Sequence, residues 1–171
     1  MRTRVAIVGA GPAGLLLSHL LDLAGIESVL VERQSADYVL GRIRAGVLES
    51  SSVDLLRSAG LGDRIAREGM EHRGIYLQWP QERHHVDFVD HVGRSVWIYG
   101  QTEVTKDLMA ARTAAGQQCF YEASGVALHD IASDRPGVTF TDADGVEQRV
   151  AVHGGFLSVR PDGVSVLAEM A

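Results

Sequence analysis

The stretch Arg4-Val5-Ala6-Ile7-Val8-Gly9-Ala10-Gly11-Pro12-Ala13-Gly14 decides the fold. Its first five residues form a short, almost wholly apolar run, as a strand buried on both faces requires. Three glycines at fixed spacing follow. Beyond them Leu15, Leu16, Leu17, Leu20, Leu21 and Leu23 recur at helical spacing, and Gly25 is placed to end that helix. A second apolar run, Ser28-Val29-Leu30-Val31, then stops at Glu32. Strand, glycine turn, helix and strand occupy about the 30 residues of a βαβ unit.

Each glycine has its own physical task. Gly9 permits the tight turn off the strand. At Gly11 the missing Cβ lets a diphosphate approach the backbone, and Gly14 lets the helix pack close to the sheet. The phosphate charge then meets the positive end of the helix dipole and its unpaired N–H groups. Glu32 follows Gly14 by 18 residues, at the end of the second strand. An acceptor for both hydroxyls of an adenosine ribose belongs there. Its charge would repel a 2′-phosphate, so NADP is disfavoured in this pocket. The turn alone leaves FAD and NAD open. Glycines that serve only a tight turn are the plainer alternative.

The expected class is α/β: a Rossmann-like βαβ with a parallel sheet, joined by small antiparallel strands. Gln34 to Val47 reads as irregular, and Val47–Gly60 and Gly62–Glu68 carry helical patterns. Short alternating runs (Ile75–Leu77, His85–Phe88, Ser95–Ile98) predict small strands. Gln101 to Ala115 reads as a helix, with Thr102 as candidate N-cap and Gly116 as terminator. Further strands are expected over Cys119–Glu122, Gly125–Ile131, Gly137–Thr141 and Gln148–Val152. Asp142-Ala143-Asp144-Gly145 reads as a hairpin turn.

Composition narrows the partners. A net charge of −6 gives no reason to expect nucleic acid or an anionic membrane. Cys119 is the single cysteine, which excludes an intramolecular disulfide and a cysteine-cluster metal site. His84, His85 and His91 lack the carboxylate or cysteine framework of a metal centre. Nothing resembles a secretory signal or a bilayer-spanning run, so a cytoplasmic location is the expectation.

Glu32-Arg33-Gln34, followed by Tyr38-Val39-Leu40-Gly41-Arg42-Ile43-Arg44-Ala45-Gly46-Val47-Leu48-Glu49, closely resembles the 4-hydroxybenzoate hydroxylase family of flavoproteins. Tyr99-Gly100-Gln101-Thr102-Glu103-Val104-Thr105 is similar to that family's next shared block. The resemblance runs from Met1 to about Val152 and is weakest between Gly74 and Val96. It implies that Gly9, Gly11, Gly14 and Glu32 bind FAD, with Glu32 on the adenosine ribose. Arg42, Ile43, Arg44, Ala45, Gly46 and Val47 would line the same cofactor, with Arg44 near the pyrophosphate and flavin, and Gln101 would contact the pyrophosphate region. NADPH would lie on the surface beside Arg33, Gln34, Tyr38, Arg42 and Arg44. His72 matches the outer end of a proton relay that ionises the substrate phenol.

The residues themselves carry only part of this. Arg42 and Arg44 pointing the same way from an extended segment suit a diphosphate clamp, and a solvated arginine pair is the alternative. Tyr38 suits stacking on a dinucleotide and equally suits packing on its neighbours. A histidine suits proton relay near neutrality, although for His72 a surface histidine without a role is the better reading from sequence alone. In the reaction the resemblance implies, NADPH reduces FAD, the reduced flavin reacts with O₂, and 4-hydroxybenzoate becomes 3,4-dihydroxybenzoate. Such proteins are expected to be homodimers serving aromatic hydrocarbon catabolism.

The chain departs from the family pattern near its end. Residues 1–152 read as the N-terminal portion of an FAD-binding domain. From His153 the family continues into a Gly-Cys-Asp-Gly-like turn, where this sequence reads His153-Gly154-Gly155-Phe156-Leu157-Ser158-Val159-Arg160-Pro161-Asp162-Gly163. Residues 153–171 are therefore expected to be a divergent tail, non-homologous or out of frame, and the fold incomplete relative to the family. A chain of this kind is expected to bind FAD weakly and to be inactive alone. A non-catalytic nucleotide-binding fragment and a small NAD-dependent dehydrogenase are the alternatives; the second lacks a Tyr-x-x-x-Lys pair.

Overall fold

The first apolar run folds as β2 (Val5–Val8), preceded by the short strand β1 (Arg2–Thr3). A computed structural model describes residues 1–42 and 45–152, together with the backbone of strands Phe156–Arg160 and Gly163–Leu167. Two units make up the chain: Met1–Gly41 with Leu108–Ala171, and Arg42–Asp107.

In the first unit β2 leads into α1 (Pro12–Leu23), with Pro12 at its first turn. Proline suits that position because its fixed φ is helical and no N–H is needed there. Gly25, at φ +69°, ends the helix as expected. β3 (Ser28–Val31) follows and pairs parallel with β2 in the register Val5↔Ser28 to Val8↔Val31. All four residues of β3 are buried. β2 differs from expectation: Val8 is 57% exposed, because β2 stands at the edge of its sheet among the described residues. The segment read as irregular contains a helix, α2 (Ala36–Gly41). Ser35 Oγ accepts the Tyr38 N–H at 3.1 Å, a capping bond that starts it.

The second unit opens with β4 (Val47–Glu49) and α3 (Ser50–Ser58). The single helix expected over Val47–Gly60 is thus a strand and a shorter helix. Then come α4 (Gly62–Glu68), β5 (Met70–His72), β6 (Gly74–Gln78), β7 (Arg83–Asp87), α5 (Phe88–Val92) and β8 (Val96–Ile98). β8 pairs antiparallel with both β4 and β5, which explains why Val47–Glu49 is extended. β6 and β7 form a separate hairpin that leaves Ile75, Tyr76, Leu77 and Trp79 exposed. α6 (Gln101–Ala114) begins at Gln101, not after Thr102. The Gly100 carbonyl accepts from Glu103 and Val104, so Gly100 holds the position expected for Thr102.

Returning to the first unit, β9 (Cys119–Phe120) extends the parallel sheet to the order β2-β3-β9. β10 (Ser124–His129), β11 (Gly137–Thr141) and β12 (Glu147–Val152) form an antiparallel meander, with β1 added parallel to β12. The turn read at Asp142–Gly145 joins β11 to β12. Asp142 Oδ1 accepts the N–H groups of Asp144 and Val146, and Gly145 takes φ +79°. The two sheets bury Val29 and Val31 against Ala123, Val138, Phe140 and Val150. Burial on this scale, about 1.5–3 kcal/mol for each large side chain, holds the parallel sheet in place. Arg112 is buried, donating to Ser18 Oγ and to the carbonyls of Ser28 and Gln118. It ties α1, β3 and the approach to β9 together. β13 (Phe156–Arg160) and β14 (Gly163–Leu167) pair with each other, antiparallel.

Candidate functional site

The turn between β2 and α1 has the geometry its glycines imply. Gly9 sits at φ +112°, a conformation open to glycine and strained for other residues. Its N–H donates to the Val31 carbonyl at 2.8 Å, continuing the β2–β3 ladder into the turn. Gly14 faces back onto the strand. A Cβ there would collide with the Gly9 carbonyl oxygen and lie 3.3 Å from Ile7 Cγ2. Close helix–sheet packing, the role assigned to Gly14, is therefore what the structure shows.

Gly11 behaves differently. Its backbone (φ −67°, ψ 172°) is one that any residue adopts, and an added Cβ would meet no protein atom within 4 Å. Neither strain nor packing within the described protein requires glycine there. The open space lies directly before α1, whose first-turn N–H groups have no partner within the helix. Pyrophosphate fits that cradle in both charge and donor geometry.

Glu32 closes the turn from the other side. Oε2 accepts the Ala10 N–H at 2.8 Å and Oε1 accepts the Gln34 N–H at 2.8 Å. Its own backbone is held by Phe120 and Ala123, through bonds of 2.8 and 2.9 Å. Each carboxylate oxygen has two lone pairs, so both retain capacity for a ribose hydroxyl. Glu32 thus has a structural task that the sequence reading did not include: it fixes the turn as well as offering acceptors. Nearby, Arg33 and Tyr38 are exposed and Gln34 is half-buried.

The second unit gathers another part of the predicted set. Tyr99 N–H donates to the Gly46 carbonyl at 2.9 Å, and Gln101 N–H to the Ala45 carbonyl at 3.3 Å. A Cβ on Gly46 would lie 3.5 Å from Gly100 Cα, so the two segments run close together. Ala45, Gly46, Val47 and Gln101 therefore form one strip, at the mouth of β4 and the start of α6. Val47 is 54% exposed. Arg42 is exposed, while Ile43 and Arg44 lie outside the described residues. His72 is exposed on β5, paired with Val96. His84 and His85 are neighbours on β7 and so face opposite sides; His85 stacks on Tyr76 at 4.5 Å.

A cluster the sequence did not reveal stands behind this strip. Arg64 of α4 donates to Asp107 at 2.7 Å, to Glu68 at 3.1 Å and to Glu103. Tyr99 Oη donates to the other Asp107 oxygen at 2.6 Å. The carboxylates hold the guanidinium above even the usual arginine range, and Arg64 in turn lowers the Glu103 carboxyl. Burial, then the bond to Asp107, pushes the Tyr99 phenol up.

Comparison with known proteins agrees with this geometry. The family described as "FAD binding domain" matches residues 2–153. The chain is 52% identical to the p-hydroxybenzoate hydroxylase of Acinetobacter baylyi over 141 residues, 82% of this chain and 35% of that protein. Among solved structures, the p-nitrophenol 4-monooxygenase of Pseudomonas putida DLL-E4 superposes with a TM-score of 0.74 at 18% identity, covering 89% of this chain and 39% of that one. The anhydrotetracycline hydroxylase of Streptomyces rimosus gives 0.71 at 26% identity, covering 90% and 31%. This chain spans about a third of each. No helix among the described residues is long and apolar enough to cross a membrane. The choice between FAD and NAD that the glycine turn leaves open falls to FAD: the chain belongs to the FAD-binding domain family.

Proposed function

We propose that this chain is the FAD-binding part of an NADPH-dependent monooxygenase that hydroxylates 4-hydroxybenzoate to 3,4-dihydroxybenzoate. The observation that carries the proposal is the bond from Ala10 N–H to Glu32, which joins a diphosphate cradle to a ribose acceptor in one rigid turn. The 52% identity to a p-hydroxybenzoate hydroxylase supports the substrate. FAD, when bound, supplies the oxygen chemistry. The protein's part is binding and orientation. The open space at Gly11 admits the diphosphate and Glu32 accepts from the ribose, and we assign Arg42, Ile43, Arg44, Ala45, Gly46, Val47 and Gln101 to the same cofactor. Exposed Arg33 and Tyr38, with Gln34, offer NADPH a surface site, and His72 is the outward end of a proton path. The assembled enzyme would be a cytoplasmic homodimer using O₂.

The isolated chain binds FAD weakly and does not hydroxylate. Two observations support this: it spans 35% of the length of the Acinetobacter baylyi relative, and the β6–β7 hairpin leaves four large apolar side chains exposed. Purified protein should take up FAD in a fluorescence titration but show no NADPH oxidation stimulated by 4-hydroxybenzoate. Purification with stoichiometric flavin contradicts the first half, and stimulated NADPH oxidation contradicts the second. Failure to take up any FAD also contradicts the first.

We further infer that residues 153–171 are a divergent tail, non-homologous to the FAD-binding domain or out of frame. The family match stops at residue 153, and β13 pairs with β14. A chain shortened to residues 1–152 should bind FAD as tightly as the whole; a loss of binding would show that the tail belongs to the site.

A further inference from the structure

We infer that Arg64 is a positioning residue for the cofactor strip, acting through the first two turns of α6. This rests on the reading that Ala45–Val47 and Gln101 face FAD. Arg64 lies on α4, yet its fork reaches Glu103 and Asp107, one turn apart on α6, while Glu68 holds it from its own helix. Asp107 is also the acceptor for Tyr99 Oη. Tyr99 is buried and its N–H is fixed on Gly46, and the Gln101 N–H is fixed on Ala45. The chain of contacts is therefore continuous: Arg64 sets the start of α6, the start of α6 sets Tyr99 and Gln101, and these set Ala45 and Gly46.

Charge makes the arrangement directional. Without the guanidinium, three carboxylates from two helices would face one another, and like charges this close drive the elements apart. An exposed ion pair would matter little, but this one is a multi-donor fork whose Asp107 partner has only 16% of its side chain exposed. Displacement would be felt at Gln101, the first residue of α6. The sub-ångström placement of a binding group is what such supporting contacts secure.

The test compares Arg64→Met, Arg64→Lys and Arg57→Met in the full chain. Arg57 stacks on Trp97 at 4.7 Å in the same unit, so its loss reports general destabilisation. Arg64→Met should raise the FAD dissociation constant about tenfold and speed hydrogen exchange at the Tyr99 and Gln101 amides. Arg64→Lys should recover most of the affinity, and Arg57→Met should leave it unchanged. Wild-type affinity in Arg64→Met, or equal weakening by Arg57→Met, overturns the inference. If Arg64→Met does not fold, Glu103→Gln removes a single arm and should raise the constant about threefold; no change there also overturns it. A wild-type chain that binds no FAD at all is a different result, and removes the cofactor reading together with this one.

Discussion

The Glu32 carboxylate accepts the backbone N–H of Ala10 at 2.8 Å, across 22 residues of sequence. The acidic end of β3 and the glycine turn after β2 are therefore one object. The side chain we propose as the ribose acceptor also holds the turn that we propose cradles the diphosphate. Binding and local folding share a residue.

Glu32→Gln separates these tasks. The amide keeps one acceptor oxygen, but its NH₂ must then face one of the two N–H donors, Ala10 or Gln34. One charge-assisted bond is lost and a donor is left opposed, at a cost of about 1–3 kcal/mol. Denaturant unfolding should show that loss, and FAD affinity should fall by at least as much. A variant with unchanged stability would mean the two bonds contribute nothing to the turn.

Gly14→Ala is expected to be worse for folding than for chemistry. The new methyl meets the Gly9 carbonyl, a backbone atom that cannot rotate away. Forced overpacking of this kind costs typically about 1–3 kcal/mol, and α1 would have to lift from β2. The unfolding midpoint should drop sharply. Retained stability would show that α1 is free to shift.

Stability should decline on the alkaline side. Burial raises the Cys119 thiol above the ordinary thiol range, and burial likewise pushes up the phenols of Tyr99 and Tyr121. For groups whose folded-state value is raised, the stabilisation is fully present below the unfolded value and disappears as pH climbs through the folded one. The window therefore opens near pH 9 and runs upward. Cys119→Ser should flatten its first part in chemical-denaturation curves taken between pH 8 and 11. A thiol that labels rapidly at pH 8 in the folded protein would contradict this burial.

Much of the nucleotide turn was legible because its signals are local. The apolar run into Gly9, the leucine spacing of α1 and the position of Glu32 follow from nearest-neighbour sterics and helix periodicity. What escaped depends on distant partners. Val47–Glu49 reads as helix but is extended by pairing with β8, in the register Val47↔Ile98. α2 is too short to display a period, although Ser35 carried its capping signal. The edge position of β2, and hence the exposure of Val8, is a property of the sheet and not of the run Val5–Val8. Arg64 meets Glu103 across 39 residues and Asp107 across 43, and no spacing rule links them.

Gly11→Ala tests the central claim most directly. Its backbone suits alanine and the added methyl meets no protein atom, so the unfolding free energy should stay within about 1 kcal/mol of wild type. The methyl would occupy the space assigned to the diphosphate. FAD titration should therefore show affinity reduced by at least about tenfold in a variant that folds normally. Equal affinity for FAD in both proteins would contradict the account, because the cofactor would then not lie against this turn.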